Sequence, residues 1–586
     1  MRLAKAKNIL ALLVVKLHNY AFIFLTSTIN LNTKLMYKKL LGLFIIGVYF
    51  SSCQSSSSGS MEPDSAALKA INDTSFAKHI AVLASDGFQG RKPFTAGETK
   101  TINYLKSEFE KLGLKPGNGD SYFQEVPMVD IKSTPSDLSI KTSNGNAGVS
   151  LKYLDDFVGA SRHVTDQVKV ENSEMVFAGY GIVAPEYKWN DYEGLNVKGK
   201  TVVVMVNDPG FLDSTLFKGK TMTYYGRWTY KFEEAARQGA TGVIIIHEDK
   251  AASYPWAVVR SGWSKSKLYL EAADANKSRA LLEGWITQDV AKAMFKMAGK
   301  SADLMVQAGK TGFRPVDLGL KVSTTINNTI KKSISNNVVA VLPGTKRADE
   351  YIIYSGHWDH LGLGEAVNGD SIYNGAVDNA TGTSALLVLA DAFKKAKQQP
   401  ERSVMFLAVT AEEQGLLGSE YYGAHPLVPV NKTVANINID AMQASGKTKD
   451  IIAVGFGQSE LEDYLVEAAK KQNRVVVKDS NPSAGFYFRS DHFNFAKVGI
   501  PALYTETGDE NIAKGLAYGK AQKEDYTKNR YHAPADNFEP AKWDFSGMVE
   551  DLRLLFDVGY RLSNESTYPS WKAGSEFKAV RDKSMK

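Results

Sequence analysis

Cysteine is nearly absent from this chain: Cys53 is the only one among 586 residues. A disulfide within one chain is therefore excluded, and stability must come from packing and from whatever the fold binds. Long apolar runs are just as scarce. Nothing after residue 60 is apolar over the ~20 residues that a membrane span needs. Acidic residues are missing from the first 52 positions, where Arg2, Lys5, Lys7, Lys16, Lys34, Lys38 and Lys39 contribute seven positive charges. Taking those seven from the formal +6 leaves the remainder at −1, so no nucleic-acid partner is implied.

What stands at the start is an address. Met36, Tyr37, Lys38 and Lys39 followed by the apolar stretch 40–50 have the charged start and apolar core of a secretory signal, and translation is expected to begin at Met36. Small residues lead into Cys53 and a polar serine-rich stretch, 54–60, follows it. This pattern resembles a bacterial lipoprotein signal with its tether, although Phe50 stands where leucine is usual. It implies lipid on Cys53, an exported protein and a membrane-held position in the bacterial cell envelope, facing the periplasm or the surface.

With 586 residues, 44% of them hydrophobic, two or three domains are expected. Beyond the leader and tether (1–60), residues 61–134 carry helical apolar spacing over Thr74 to Ala84 and Thr99 to Leu112, separated by Gly90 and Arg91. Residues 135–325 differ. They hold apolar, β-branched runs at Val176 to Val183, Gly199 to Val206 and Gly242 to Ile246, with a helix over Lys231 to Gln238, and read as a β-rich module. Thr223 to Trp228 is too aromatic for a linker and is expected to face the cleft. Residues 326–586 complete the chain.

In that last part, strand-like runs end in acids or histidine. Tyr351 to Ser355 leads to His357 and Asp359, Ser403 to Thr410 to Glu412 and Glu413, and Val434 to Ile439 to Asp440. Open α/β sheets build their sites beyond the carboxyl ends of their strands. Asp378 lies between glycines before an apolar helical stretch, Ser384 to Ala396. Imidazole and carboxylate together are zinc donors, and a pair of ions needs one carboxylate to bridge them. His357, Asp378, Glu413, Asp440 and His532 supply such a set; Glu412 is left as the base, and Asp359 as the acceptor of a histidine ring N–H.

The motifs Gly356 to Gly362, Gly375 to Gly382, Ala411 to Ser419, Asn438 to Asp440, Ser490 to Phe495 and Tyr531 to Asp536 resemble, in order and spacing, those of the co-catalytic di-zinc aminopeptidases, relatives of aminopeptidase Y and glutamate carboxypeptidase. The resemblance covers roughly residues 336–560. It implies an α/β fold, a central mixed β-sheet flanked by helices, and two Zn2+ per chain. It places His357 and Asp440 on one ion, Glu413 and His532 on the other, Asp378 between them, Glu412 as base, and Tyr487 as donor to the developing oxyanion. Residues 135–325 resemble the protease-associated domain inserted in some relatives.

Other histidines carry less. His360 and His492 lie within motifs and read as supporting groups, while His79, His163, His247 and His425 have no partner motif. Ser490 and Asp491 are expected to cap the helix that begins near Phe493. The function so implied is a zinc aminopeptidase acting on peptides. A carboxypeptidase of the same fold is the alternative, kept open by Arg489. A glutaminyl cyclase or a receptor-like module is less well served, because all five ligand positions are filled.

Overall fold

The computed structural model describes residues 65–586; the leader, the signal and Cys53 lie outside the described residues. Helix α1 (Asp73–Leu83) begins at Asn72, whose side chain accepts from the Ser75 amide at 3.0 Å while Ser75 Oγ accepts from the Asn72 amide at 3.2 Å. This reciprocal cap satisfies two donors that a helix start leaves open. Helix α2 (Ala96–Lys111) is capped by Thr95.

The chain then enters its β-rich part through β1 (Phe123–Pro135), β2 (Gln167–Phe177), β3 (Thr201–Met205), helix α3 (Trp228–Arg237), β4 (Gly242–His247) and β5 (Leu282–Thr287). Strands β2 to β5 pair in parallel, each with the next. The run Val176 to Val183 does not stay a strand: it breaks after Phe177 at Gly179 and Gly181, whose φ values of 56° and 63° leave the extended region.

The 27-residue strand β6 (Val316–Leu342) joins the two parts of the fold. Its first half pairs with β2 and its middle with all of β1, both antiparallel, and Val338 to Leu342 pair with the sheet of the C-terminal part. The division expected at 325/326 therefore falls inside one strand, and that at 134/135 at the last residue of another.

The C-terminal part contains β7 (Arg347–His357), helix α4 (Thr381–Lys395), β8 (Arg402–Val409), β9 (Thr433–Asn438), β10 (Ala502–Thr507) and the long helix α5 (Ser546–Asn564). Its strands run β8–β7–β9–β10 in parallel, with β6 antiparallel beside β8 and Asp450–Ala453 antiparallel beside β10. Every residue of β8 and β9 is buried, as expected of parallel strands covered on both faces. Helices α4 and α5 lie against β7 and β8. A second apolar cluster joins Ile353, Met405 and Leu407 to Tyr422 and Phe495 of two short helices. The mixed α/β sheet flanked by helices is as expected. No helix among the described residues is long and apolar enough to cross a membrane.

Candidate metal centre

Three adjacent parallel strands end side by side, and the side chains that follow them converge. His357 is the last residue of β7, Glu412 and Glu413 lie just past β8, and Asp440 lies just past β9. Asp378 arrives from the turn before α4. That turn can press against β9 only because residue 382 is glycine: a Cβ there would lie 2.3 Å from the Ile439 carbonyl oxygen. Asp536 holds the turn from the other side, accepting from the amides of Val377 and Asp378 at 3.0 Å.

The side chains meet at hydrogen-bond distances, close to the spacing of ligand atoms around an ion. His357 Nε2 lies 3.2 Å from Asp440 Oδ1 and 3.3 Å from Asp378 Oδ1. His532 Nε2 lies 3.3 Å from Asp378 Oδ2 and 3.0 Å from Glu413 Oε2. Atoms held about 2.0–2.2 Å from a tetrahedral zinc ion are roughly 3.3–3.6 Å apart. Asp378 thus turns one oxygen to each histidine, and the donor set suits a metal cation. Glu413 is the more deeply placed of the two glutamates, its side chain 2% exposed against 12% for Glu412. Glu412 Oε2 stands 4.0 Å from His357 Nε2, beyond hydrogen-bond reach.

Residues 337–556 match the sequence profile of Peptidase family M28. This segment is an M28 peptidase domain. The chain is 34% identical over 145 residues to Aminopeptidase NAALADL1 of Mus musculus, covering 23% of this chain and 18% of that protein. It is 33% identical over 458 residues to a probable glutamate carboxypeptidase, AMP1, of Arabidopsis thaliana, covering 70% of this chain and 59% of that one. The chain therefore spans less than two thirds of either relative. An aminopeptidase from Aneurinibacillus sp. strain AM-1 superposes with a TM-score of 0.44 at 18% identity over 86% of this chain and 96% of that one, too loosely to bear on function.

Electrostatics of the M28 site follow from crowding buried acids around imidazoles. Burial alone would lower the pKa of His357, yet the charges of Asp440 and Glu412 and hydrogen bonds to Asp378 and Asp440 raise it well above its ordinary value. His532 is raised to about 10 against burial by its bonds to Asp378 and Glu413. Burial pushes Glu412 well above the carboxylate range; His357 opposes this, and the charges of Glu413 and Asp440 add to it. Acids in such excess over cations make a site that favours divalent ions.

Asp359 departs from its expected role. The Nδ1 of His357 lies 3.1 Å from the Asp359 backbone oxygen and 3.8 Å from its carboxylate. The carboxylate instead accepts from the amides of Glu412 and Glu413 at 3.0 and 3.4 Å, setting the turn that carries both. Tyr487 is not brought to the cluster. Its ring packs against Phe488, His492 and Phe577, its hydroxyl has no partner among the described residues, and after burial the charges acting on it are those of Glu576 and Glu462. The oxyanion role expected of it is not supported by this position. Tyr531, by contrast, stacks on His532 with ring centroids 3.8 Å apart.

Nor does Asp491 cap the helix His492–Lys497; it accepts from Ser419 Oγ at 2.6 Å, and Ser490 Oγ donates to Asp440 Oδ2 at 2.7 Å. His360 contributes more than its motif suggested. Its Nδ1 lies 2.6 Å from Glu413 Oε1, so Glu413 turns one oxygen to His360 and the other to His532. With Asp378 and Glu413, His360 makes a second set of donor atoms within 4.8 Å of one another, beside that of His357, Asp378 and Asp440.

Arg91 is the residue least visible in advance. Fully buried, it donates to the carbonyls of Trp358 at 2.9 Å, Leu83 at 2.8 Å, Asn374 at 2.5 Å and Gly375 at 2.8 Å. It thereby ties the loop after His357 to the loop before Asp378. Burial lowers its pKa to about 10, against the opposing charges of Asp378, Asp536, Asp359 and Glu413.

The segment Thr223 to Trp228 docks the β-rich part onto the M28 domain rather than facing the acids. The Met222 amide donates to the Pro482 carbonyl at 3.2 Å, the Tyr224 ring packs on Phe493 and Phe577, and Lys497 pairs with Glu233 at 2.9 Å.

Proposed function

We propose that the chain is a zinc-dependent exopeptidase that removes amino-terminal residues from peptides. In this reading His357 and Asp440 hold one ion, Glu413 and His532 the other, and Asp378 bridges them. The observation that carries it is the division of Asp378, with Oδ1 towards His357 and Oδ2 towards His532. Glu413 Oε2 meets His532 and Oε1 meets His360; this reading takes His532 as the ligand and His360 as the group that orients Glu413.

Bound zinc supplies Lewis acidity at the scissile carbonyl and acidifies water. The chain's own residues manage the proton. Glu412 accepts it from the attacking water on a carboxylate oxygen and returns it to the leaving nitrogen. A carboxylate whose pKa is raised by burial takes a proton from water more readily than an ordinary one. Asp359 fixes the Glu412–Glu413 turn through both amides. Arg91 holds the two ligand loops at a set distance.

A free amino terminus suits the charge of the site. The acidic lining of Asp378, Glu412, Glu413 and Asp440 favours an ammonium group over a carboxylate. Peptides tested unblocked, amino-acetylated and carboxy-amidated decide the polarity. Acetylation is expected to abolish hydrolysis. Loss on amidation with tolerance of acetylation would establish the carboxypeptidase instead.

Residues 135–325 are assigned as a protease-associated insertion that shapes substrate access, supported by the contacts of Met222, Tyr224 and Glu233 with the M28 domain. The lipid on Cys53 and the bacterial envelope location rest on the signal pattern in residues 36–60.

A further inference from the structure

We infer that Asn337 is a positioning residue for proton transfer: it fixes both ends of the turn that carries Glu412 and Glu413, and so sets where the base stands relative to the metal ligands. The inference rests on the exopeptidase reading and adds a residue to its machinery.

The pattern around Asn337 is inverted for a strand of this fold. Ile334 of β6 is 56% exposed, while Ser335 and Asn337 are fully buried. Residues two apart in a strand share a face, so β6 turns its polar side chains inwards here and an apolar one to solvent. Burying an amide costs free energy unless its hydrogen bonds are made. Here they are made, and most of them to one turn.

Residue 337 is where β6 passes from one neighbour to the next. It pairs with Gln124 of β1, and Val338 pairs with Ala408 near the end of β8, so the Asn337 side chain lies beside the chain leaving β8. Its Oδ1 accepts from the Thr410 amide at 3.0 Å, and its Nδ2 donates to the Gly418 carbonyl at 2.9 Å and to Gln124 Oε1 at 3.0 Å. One carboxamide thus clasps the first and last residues of the 410–418 turn, and Gln124 keeps it from rotating. Ser335 Oγ, which donates to Glu98 Oε1 at 2.8 Å, adds a contact of 2.6 Å to Thr410 Oγ1. The close fit requires glycine at 418, where a Cβ would lie 2.5 Å from Asn337 Oδ1 and 2.3 Å from the Thr410 carbonyl oxygen.

The backbone of the turn shows why a clasp is required. Ala411 and Leu416 have φ values of 53° and 64°, a left-handed conformation that any residue with a side chain disfavours. Such residues persist where their surroundings over-determine them, and they gather at sites that depend on a fixed geometry. Asp359 holds the middle of the turn through the amides of Glu412 and Glu413. Asn337 holds its ends. Release at either end would move Glu412 and Glu413 together, and a displacement of about 1 Å can cost a catalytic step roughly a hundredfold.

Asn337→Ala, with Asn328→Ala as its control, tests this. Asn328 lies on the same strand, is buried and bonds Ser133, His163 and Thr165 of the β-rich part, so its loss removes a similar set of bonds without touching the turn. Melting temperatures establish that both variants fold. On an unblocked peptide at saturating zinc, Asn337→Ala is expected to lower kcat about ten- to a hundredfold with KM within about threefold of the wild type. Competition with a chelator is expected to show zinc held about tenfold or more weakly, since Glu413 moves with the turn. Asn328→Ala is expected to leave all three quantities near the wild type. Wild-type kcat and zinc affinity in Asn337→Ala, or equal losses in the two variants, overturn the proposal while hydrolysis by the wild type keeps the peptidase standing. A wild type that cleaves no peptide removes the peptidase reading and the proton-transfer role with it, and zinc affinity then decides whether Asn337 still sets Glu413. Should Asn337→Ala not fold, Asn337→Asp carries the test. It keeps the acceptor for Thr410 and loses at least one donated bond in either protonation state, so kcat is expected to fall about threefold or more, and an unchanged kcat overturns the proposal.

Discussion

Glu412→Gln is expected to lower kcat by about two to four orders of magnitude, the usual worth of a positioned proton-transfer group, while zinc content stays at the wild-type level. Glutamine keeps the shape of the side chain and removes only its ability to take a proton. The backbone would not notice the change, because the Glu412 amide, not its carboxylate, makes the bond to Asp359. Nor would the ligands: the carboxylate stands 4.0 Å from His357 Nε2 and is the more exposed of the glutamate pair. Steady-state kinetics and metal analysis on the same preparation check both halves. Metal loss in the variant, or turnover near that of the wild type, would show that Glu412 has been given the wrong role.

Asp378→Ala should lose metal and thermal stability together. Its two oxygens address different histidines, so in the proposed two-zinc centre its removal would take a ligand from each ion. A ligand bound only to the folded state stabilises it by about 2.7 kcal/mol at a concentration a hundred times Kd, and two tightly held ions contribute more. The melting temperature of the variant is expected to fall close to that of the chelator-treated wild type. An unchanged zinc content would take Asp378 out of the site.

The parts of this molecule that were legible in its sequence are those written locally. β8 and β9 are buried along their whole length and β7 over its last six residues, and each hands over to an acid or a histidine within three residues of its end. That arrangement requires no knowledge of which strands are neighbours. The helices were equally plain: α1 and α2 begin at Asn72 and Thr95, residues that cap well, and their boundaries lie within a few positions of those expected.

What stayed hidden depends on contacts across the chain. Arg91 bonds the carbonyl of Trp358, 267 positions away, and nothing near Arg91 announces this. Asp359 lies two positions from His357 in sequence, but the turn of Glu412 and Glu413 reaches its carboxylate first. Tyr487 was placed by motif spacing, yet its ring runs along Gly455, where a Cβ would lie 2.1 Å from Tyr487 Cδ2, and so turns into the apolar cluster with Phe488 and Phe577. The strand β6 defeated a division into consecutive segments because it belongs to both parts of the fold.

Zinc counted per chain, before and after chelation and alongside hydrolysis of an unblocked peptide, tests the central claim most directly. The geometry of Asp378 predicts two ions per chain, loss of hydrolysis as they are removed and its return as they are restored. A chain that holds one ion or none, or that cleaves peptides equally well after chelation, would contradict it.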